Sequence, residues 1–151
     1  MPTITPFLWF DTQAEEAMNF YASVFKRSKV ISVNRGQGRV MSVTFELEGQ
    51  KLMALNGGPQ FRFTEAISLF VGCETQQEID DLWQKLTADG GASSRCGWLK
   101  DKFGLSWQIV PNTLGRMLGD TDAAKAKRVL NAMLQMEKLD LTLLQRAYDG
   151  D

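Results

Sequence analysis

The chain carries 151 residues, with 17 Lys and Arg against 18 Asp and Glu for a net charge of -1. A hydrophobic share of 44% and a charged share of 23% exclude a disordered tail, a collagen-like chain and a disulfide scaffold, and the balanced charge argues against a nucleic-acid surface. Histidine is absent, which removes Ser-His-Asp and Cys-His chemistry and leaves only Asp, Glu or Cys as charged metal ligands.

Residues 4–10 form an apolar run rich in aromatics, predicted as a buried strand. Thr12-Gln13-Ala14-Glu15 has the pattern of a capping box, and Ala14, Ala17, Met18, Tyr21 and Phe25 follow at helical spacing. Residues 30–33 read as a strand, residues 35–39 as a turn, and residues 40–47 as an alternating strand. Residues 48–50 form the next turn and residues 51–55 the next strand. Asn56-Gly57-Gly58-Pro59 is the joint, with Asn56 assigned to the backbone of that turn.

The same order then returns. Residues 66–71 are an apolar run, followed by Thr75-Gln76-Gln77-Glu78 as a second capping box and by Ile79, Leu82, Trp83 and Leu86 as a helical stripe. Asp89-Gly90-Gly91 ends that helix. Trp98-Leu99 suggests a short strand, residues 101–104 a turn, and residues 105–110 a closing strand. Beyond Pro111, Ala126, Val129, Leu130, Met133 and Leu134 share a helical face behind cap candidates in residues 120–122, and Asp140 caps a last helix through Leu143, Leu144, Ala147 and Tyr148. Met117, Met133 and Met136 suit packing against the domain or a twin subunit, the alternative being a partner or membrane helix.

The predicted fold class is therefore α+β: duplicated βαβββ modules over residues 1–56 and 60–111, forming one domain of residues 1–111, with a C-terminal helical extension over residues 112–151. Cys73 and Cys96 lack CxxC spacing, no apolar run is long enough to span a bilayer, and the first residues carry no signal-peptide pattern. A cytoplasmic protein with no membrane or nucleic-acid partner is expected.

Three stretches carry a resemblance: Ile4-Thr5-Pro6-Phe7-Leu8-Trp9-Phe10-Asp11 with Phe20-Tyr21; Ala54-Leu55-Asn56-Gly57-Gly58-Pro59; and the long run from Cys96-Gly97-Trp98 through Asp101-Lys102-Phe103-Gly104 to Trp107-Gln108-Ile109-Val110-Pro111. Together they resemble the PhnB-like branch of the glyoxalase/bleomycin-resistance/extradiol-dioxygenase, or vicinal oxygen chelate, superfamily. The resemblance implies two glyoxalase-like modules curled around a shared cavity, usually within a homodimer, and a divalent metal held by His and Glu. It places the ligand positions near Thr5, near Ala66 or Ser68, near Met53 and near Gln108. These neutral groups leave a cation's charge uncompensated, and Glu65 is the one carboxylate nearby, so no metal is predicted. Members of this branch often carry the label of a 3-demethylubiquinone 3-methyltransferase. Gly36-x-Gly38 lies in a predicted hairpin with no helix after it, so it reads as a turn rather than a cofactor loop, and no cofactor is predicted.

Strand alternation sets Thr5, Phe7 and Trp9 on one face, Ala66, Ser68 and Phe70 on the equivalent face of the second module, and Ser106 with Gln108 on the last strand. These faces are read as an aromatic-walled pocket with neutral hydrogen-bonding groups, so Thr5, Phe7, Trp9, Ser68, Phe70 and Gln108 are the candidate ligand-binding residues. The alternative for Phe7, Trp9 and Phe70 is ordinary core. Gln108 needs either a backbone or a ligand partner. Lys100 and Asp101 read as a solvated hairpin end, or Lys100 as facing an acidic ligand. Cys96 reads as a small, buried or half-buried residue, the alternative being a nucleophile, and the pairs Glu15-Glu16 and Asp80-Asp81 as solvated charge. No catalytic residue is assigned. The expected function is small-molecule binding; the alternatives are an enzyme of the same fold (a metal-dependent lyase or dioxygenase, or the methyltransferase of the label) and sequestration of a drug or toxic compound.

Overall fold

The structure is a computed structural model that describes residues 1–151, and it divides into two compact units, Met1–Phe63 and Thr64–Asp151. In the first, β1 (Phe7–Phe10), α1 (Ala14–Val24), β2 (Ser28–Gly36), β3 (Arg39–Leu47) and β4 (Gln50–Asn56) follow in order. The sheet order is β1-β4-β3-β2, with β1 parallel to β4 and the other pairs antiparallel. Both hairpins close with two residues at positive φ, Gln37 with Gly38 and Glu48 with Gly49, the geometry that preserves strand twist. One face of the sheet is sealed by α1, where Ala17, Met18 and Tyr21 are buried along with Val43, Phe45, Leu52 and Ala54.

Two local expectations need correction in this unit. The first strand begins at Phe7, because pairing with β4 opens at Phe7 beside Met53 and the Pro6 carbonyl already accepts from the Met53 amide. Ile4 is 96% exposed and Thr5 lies ahead of the strand. The capping box at Thr12 does not form either. The cap position is Gln13 without a side-chain bond, and the Ala14 amide instead donates to Asn56 Oδ1 at 2.8 Å. Asn56 Nδ2 donates to the Val40 carbonyl, so this residue ties α1 and β3 to the end of β4 rather than serving the turn that follows. The Glu15 carboxylate is engaged by Arg35 at 2.8 Å.

The second unit repeats the plan: β5 (Ser68–Cys73), α2 (Gln76–Thr87), β6 (Ala92–Ser93), β7 (Trp98–Lys100) and β8 (Ser106–Pro111), in the sheet order β5-β8-β7-β6. Each sheet therefore pairs its first strand with its last in parallel, and the duplicated βαβββ organisation is present. Here the capping box forms, with Thr75 Oγ1 accepting from the Glu78 amide and Glu78 Oε1 accepting from the Thr75 amide. Ala66 falls before the strand, which opens at Ser68. Two-residue β6 has too short a run to show a period of its own.

After β8 come α3 (Leu114–Leu118), α4 (Ala123–Met133) and α5 (Leu141–Asp149). Leu114, Met117, Val129, Leu139 and Leu144 bury together with Val110 of β8, and Met133 and Met136 pack against them. The methionines thus serve this unit's own core. Leu130, Leu134 and Leu143 stay more than 40% exposed, so the buried stripes of α4 and α5 are narrower than their apolar patterns. Gln76 joins the tail to α2, donating to the Leu139 carbonyl at 3.0 Å and accepting from the Leu141 amide at 2.7 Å. No helix is long and apolar enough to cross a membrane.

Candidate functional site

The sheet of the second unit has one side sealed by α2 and another that opens to solvent at Phe70 while Ser106 and Val110 on it stay buried, and alternation along β8 separates the two sides. Trp107 and Ile109 are buried towards α2, whereas Ser106 and Gln108 point to the other side. Register then assembles rows across that open face. Gln108 is flanked by Phe70 on β5 and Trp98 on β7; Ser106 is flanked by Ser68 and Lys100. Gln108 Nε2 donates to Ser68 Oγ at 2.9 Å, which brings two of the sequence candidates into contact. Phe70 is 62% exposed and so is not ordinary core.

Ser106 Oγ is the one buried side-chain nitrogen or oxygen in the chain without a hydrogen-bond partner. Its neighbour Lys100 forms an ion pair with Glu65. The hydrogen bond from Lys100 holds the Glu65 carboxyl below the usual carboxylate range. Asp101 departs from the expected solvated hairpin end: it is buried, and its carboxylate accepts from the Phe103 and Leu105 amides and from Trp107 Nε1 at 2.9, 3.1 and 2.9 Å. An Asp two residues before Phe103 and six before Trp107 is the signal for such a turn clasp, and an indole that must be satisfied on burial is its physical cause.

In the first unit, Phe7 stands beside Met53 as Phe70 stands beside Gln108, so the two rows occupy the same topological place. Phe7 is 50% exposed. Trp9 is half-buried against the glycine turn: a Cβ on Gly57 would come within 2.3 Å of its indole, and its Nε1 donates to the Gly58 carbonyl at 2.9 Å. The ring also meets Phe61 edge-on at 4.9 Å. Trp9 thus offers a flat apolar wall with its single donor already in use.

The residues present do not fit a divalent metal. The family-implied positions carry Thr5, Ala66 or Ser68, Met53 and Gln108, and no three His, Cys, Asp or Glu side chains stand close enough to share an ion. Cys73 and Cys96 are both free. Burial, and then the charge of Glu78, pushes the Cys73 thiol up to about 11, which makes it a poor nucleophile. Gly36 and Gly38 sit in the β2–β3 hairpin, confirming a turn there. Two open hollows, one of about 400 Å³ lined by Thr113, Leu141 and Arg146 among others and one of about 350 Å³ beside Arg27 and Glu46, lie away from every candidate residue. Neither hollow gathers an unsatisfied polar group, whereas the face of the second sheet holds Ser106 Oγ.

Two four-stranded sheets with the same strand order, each with one helix on one face, define the fold seen in glyoxalase/bleomycin resistance proteins. The chain belongs to the 3-demethylubiquinone-9 3-methyltransferase family, whose sequence profile matches residues 2–110. It is similar to a solved PhnB protein from Bacillus cereus, at 40% identity over 73% of this chain and 99% of that one, with a TM-score of 0.68. The fold is shared with a glyoxalase/bleomycin resistance protein from Albidiferax ferrireducens, at 11% identity over 73% and 98% of the two chains with a TM-score of 0.52. It is also shared with the fosfomycin resistance protein FosX from Listeria monocytogenes, solved with Mn(II) and sulfate, at 13% identity over 72% and 89% with a TM-score of 0.51. No curated protein matches the chain.

Proposed function

We propose that this PhnB-like protein binds a small organic molecule on its open sheet faces, without the metal typical of the superfamily. Ser68, Phe70 and Gln108 supply the recognition surface of the second unit, and Phe7 and Trp9 that of the first. The observation that carries the reading is the Gln108–Ser68 hydrogen bond beside an exposed Phe70, because it fixes an amide and a hydroxyl next to an aromatic surface that solvent reaches. Neutral groups there suit a carbonyl or aromatic compound better than a phosphate, which would want several basic side chains. The methyltransferase of the family name gains no support from the glycine pair at Gly36 and Gly38, which closes a hairpin. The test is native mass spectrometry of protein purified without chelators. A co-purified organic mass that is lost in Gln108→Leu supports the reading; stoichiometric metal lost in Glu65→Gln overturns the metal-free part of it.

We also propose a cytoplasmic homodimer. Two free cysteines suit a reducing compartment, and exposed Ile4, Met41 and Ile67 leave apolar surface for a twin chain to cover. Light scattering at micromolar concentration decides it, a monomer overturning the claim.

A further inference from the structure

We propose that the open face of the second sheet recognises an aryl carboxylate, the ring lying against Phe70 and Trp98 and the carboxylate taking Lys100 and Ser106 in place of Glu65. This rests on the ligand-binding reading above and names the class of ligand.

Two adjacent rows of that face differ in chemistry. One row runs Phe70, Gln108, Trp98, with aromatic rings on either side of an amide; the next runs Ser68, Ser106, Lys100, with hydroxyls and then an ammonium group. The rows are two residues apart along each strand, roughly 6–7 Å at the usual strand rise. A ligand that spans them needs a flat apolar end and a hydrogen-bond-accepting end at about that separation. The accepting end has two reasons to be anionic. Ser106 Oγ is buried with no acceptor of its own, a state that costs free energy until a partner arrives. Lys100 already holds a carboxylate, that of Glu65, whose side chain is 62% exposed and sits on the irregular segment before β5. An exposed internal carboxylate on a cation beside an unsatisfied hydroxyl is a competitor that a ligand carboxylate can displace, because it gains the Ser106 bond that Glu65 does not make.

The probes are 3-phenylpropionate, whose ring and carboxylate match the row spacing, and its neutral counterpart 3-phenylpropanamide, each titrated calorimetrically into the full chain. Glu65→Gln removes the competitor, so it should tighten the acid at least fivefold while the amide changes less than twofold. Lys100→Met should weaken the acid at least tenfold. Ser106→Ala should weaken it threefold or more without lowering the thermal midpoint of the free protein, since it deletes a hydroxyl that bonds nothing there. An unchanged acid affinity in Glu65→Gln overturns the inference, as does a clear loss of stability in Ser106→Ala. Equal binding of acid and amide in all four proteins leaves the ligand-binding reading standing and removes the carboxylate. If neither probe binds any of the four, the inference falls and the co-purification experiment alone decides the broader reading.

Discussion

Gln108 Nε2 donates to the Ser68 hydroxyl at 2.9 Å, linking the last strand of the second sheet to its first across 40 positions of sequence. In Gln108→Leu the Ser68 hydroxyl loses this donor at a half-buried site, a loss of about 0.5–1.5 kcal/mol for an ordinary hydrogen bond. Urea unfolding checks it. A cost well above about 3 kcal/mol would show that the amide supports the core rather than a ligand face.

Asp101 is the opposite case, a carboxylate whose partners are all internal. In Asp101→Ala the Phe103 and Leu105 amides and the Trp107 indole lose their acceptor. With roughly 1–3 kcal/mol for each buried donor left unpaired, the expected loss is several kcal/mol. Asp101→Asn keeps one acceptor oxygen and should lie between wild type and Ala. Tryptophan fluorescence during denaturation reports it directly, and a neutral Asp101→Ala would contradict the clasp.

The two helix starts make a matched pair. Thr75→Ala breaks a formed capping box and should cost about 0.5–2 kcal/mol. Thr12→Ala breaks nothing and should stay within about 0.5 kcal/mol of wild type. Asn56→Ala, which removes the acceptor for the Ala14 amide, should cost about as much as Thr75→Ala. Equal effects at Thr12 and Thr75 would refute the assignment of Asn56 as the cap of α1.

Burial raises the Cys73 thiol from an ordinary 9.0 to about 11, with the charge of Glu78 adding to the effect. A folded-state value above the unfolded one means the unfolded chain gives up its proton first as pH rises. The contribution of Cys73 to stability is then whole below about pH 9 and is lost on the way through about pH 11. Thermal midpoints over that range should fall less steeply in Cys73→Ala than in wild type. At pH 8 a thiol reagent should modify half-exposed Cys96 well before buried Cys73, and equal rates would rule out the buried placement.

The sequence by itself determined the repeated plan and much of its detail. Period-2 alternation over β3 and the helical spacing of Ala14, Ala17, Met18 and Tyr21 state which face each element buries, because those periods follow from backbone geometry alone. The capping box at Thr75 was legible for the same reason, since both partners lie within one turn. Where a short-range pattern competed with a distant partner, only the tertiary structure decided. Thr12 and Glu15 have the same pattern as Thr75 and Glu78, yet Asn56, 42 positions from Ala14, supplies the acceptor and Arg35 takes Glu15. Asp101 reads as a polar turn residue until Trp107 folds back and puts its indole N–H within reach. Phe70, Gln108 and Trp98 become one row, and Ser106 the neighbour of Lys100, only through the β5-β8-β7 register. Strand pairing joins residues with no sequence relation, and the energy that fixes it comes from burial on the helix side of the sheet, so the open face inherits an arrangement that its own residues do not dictate.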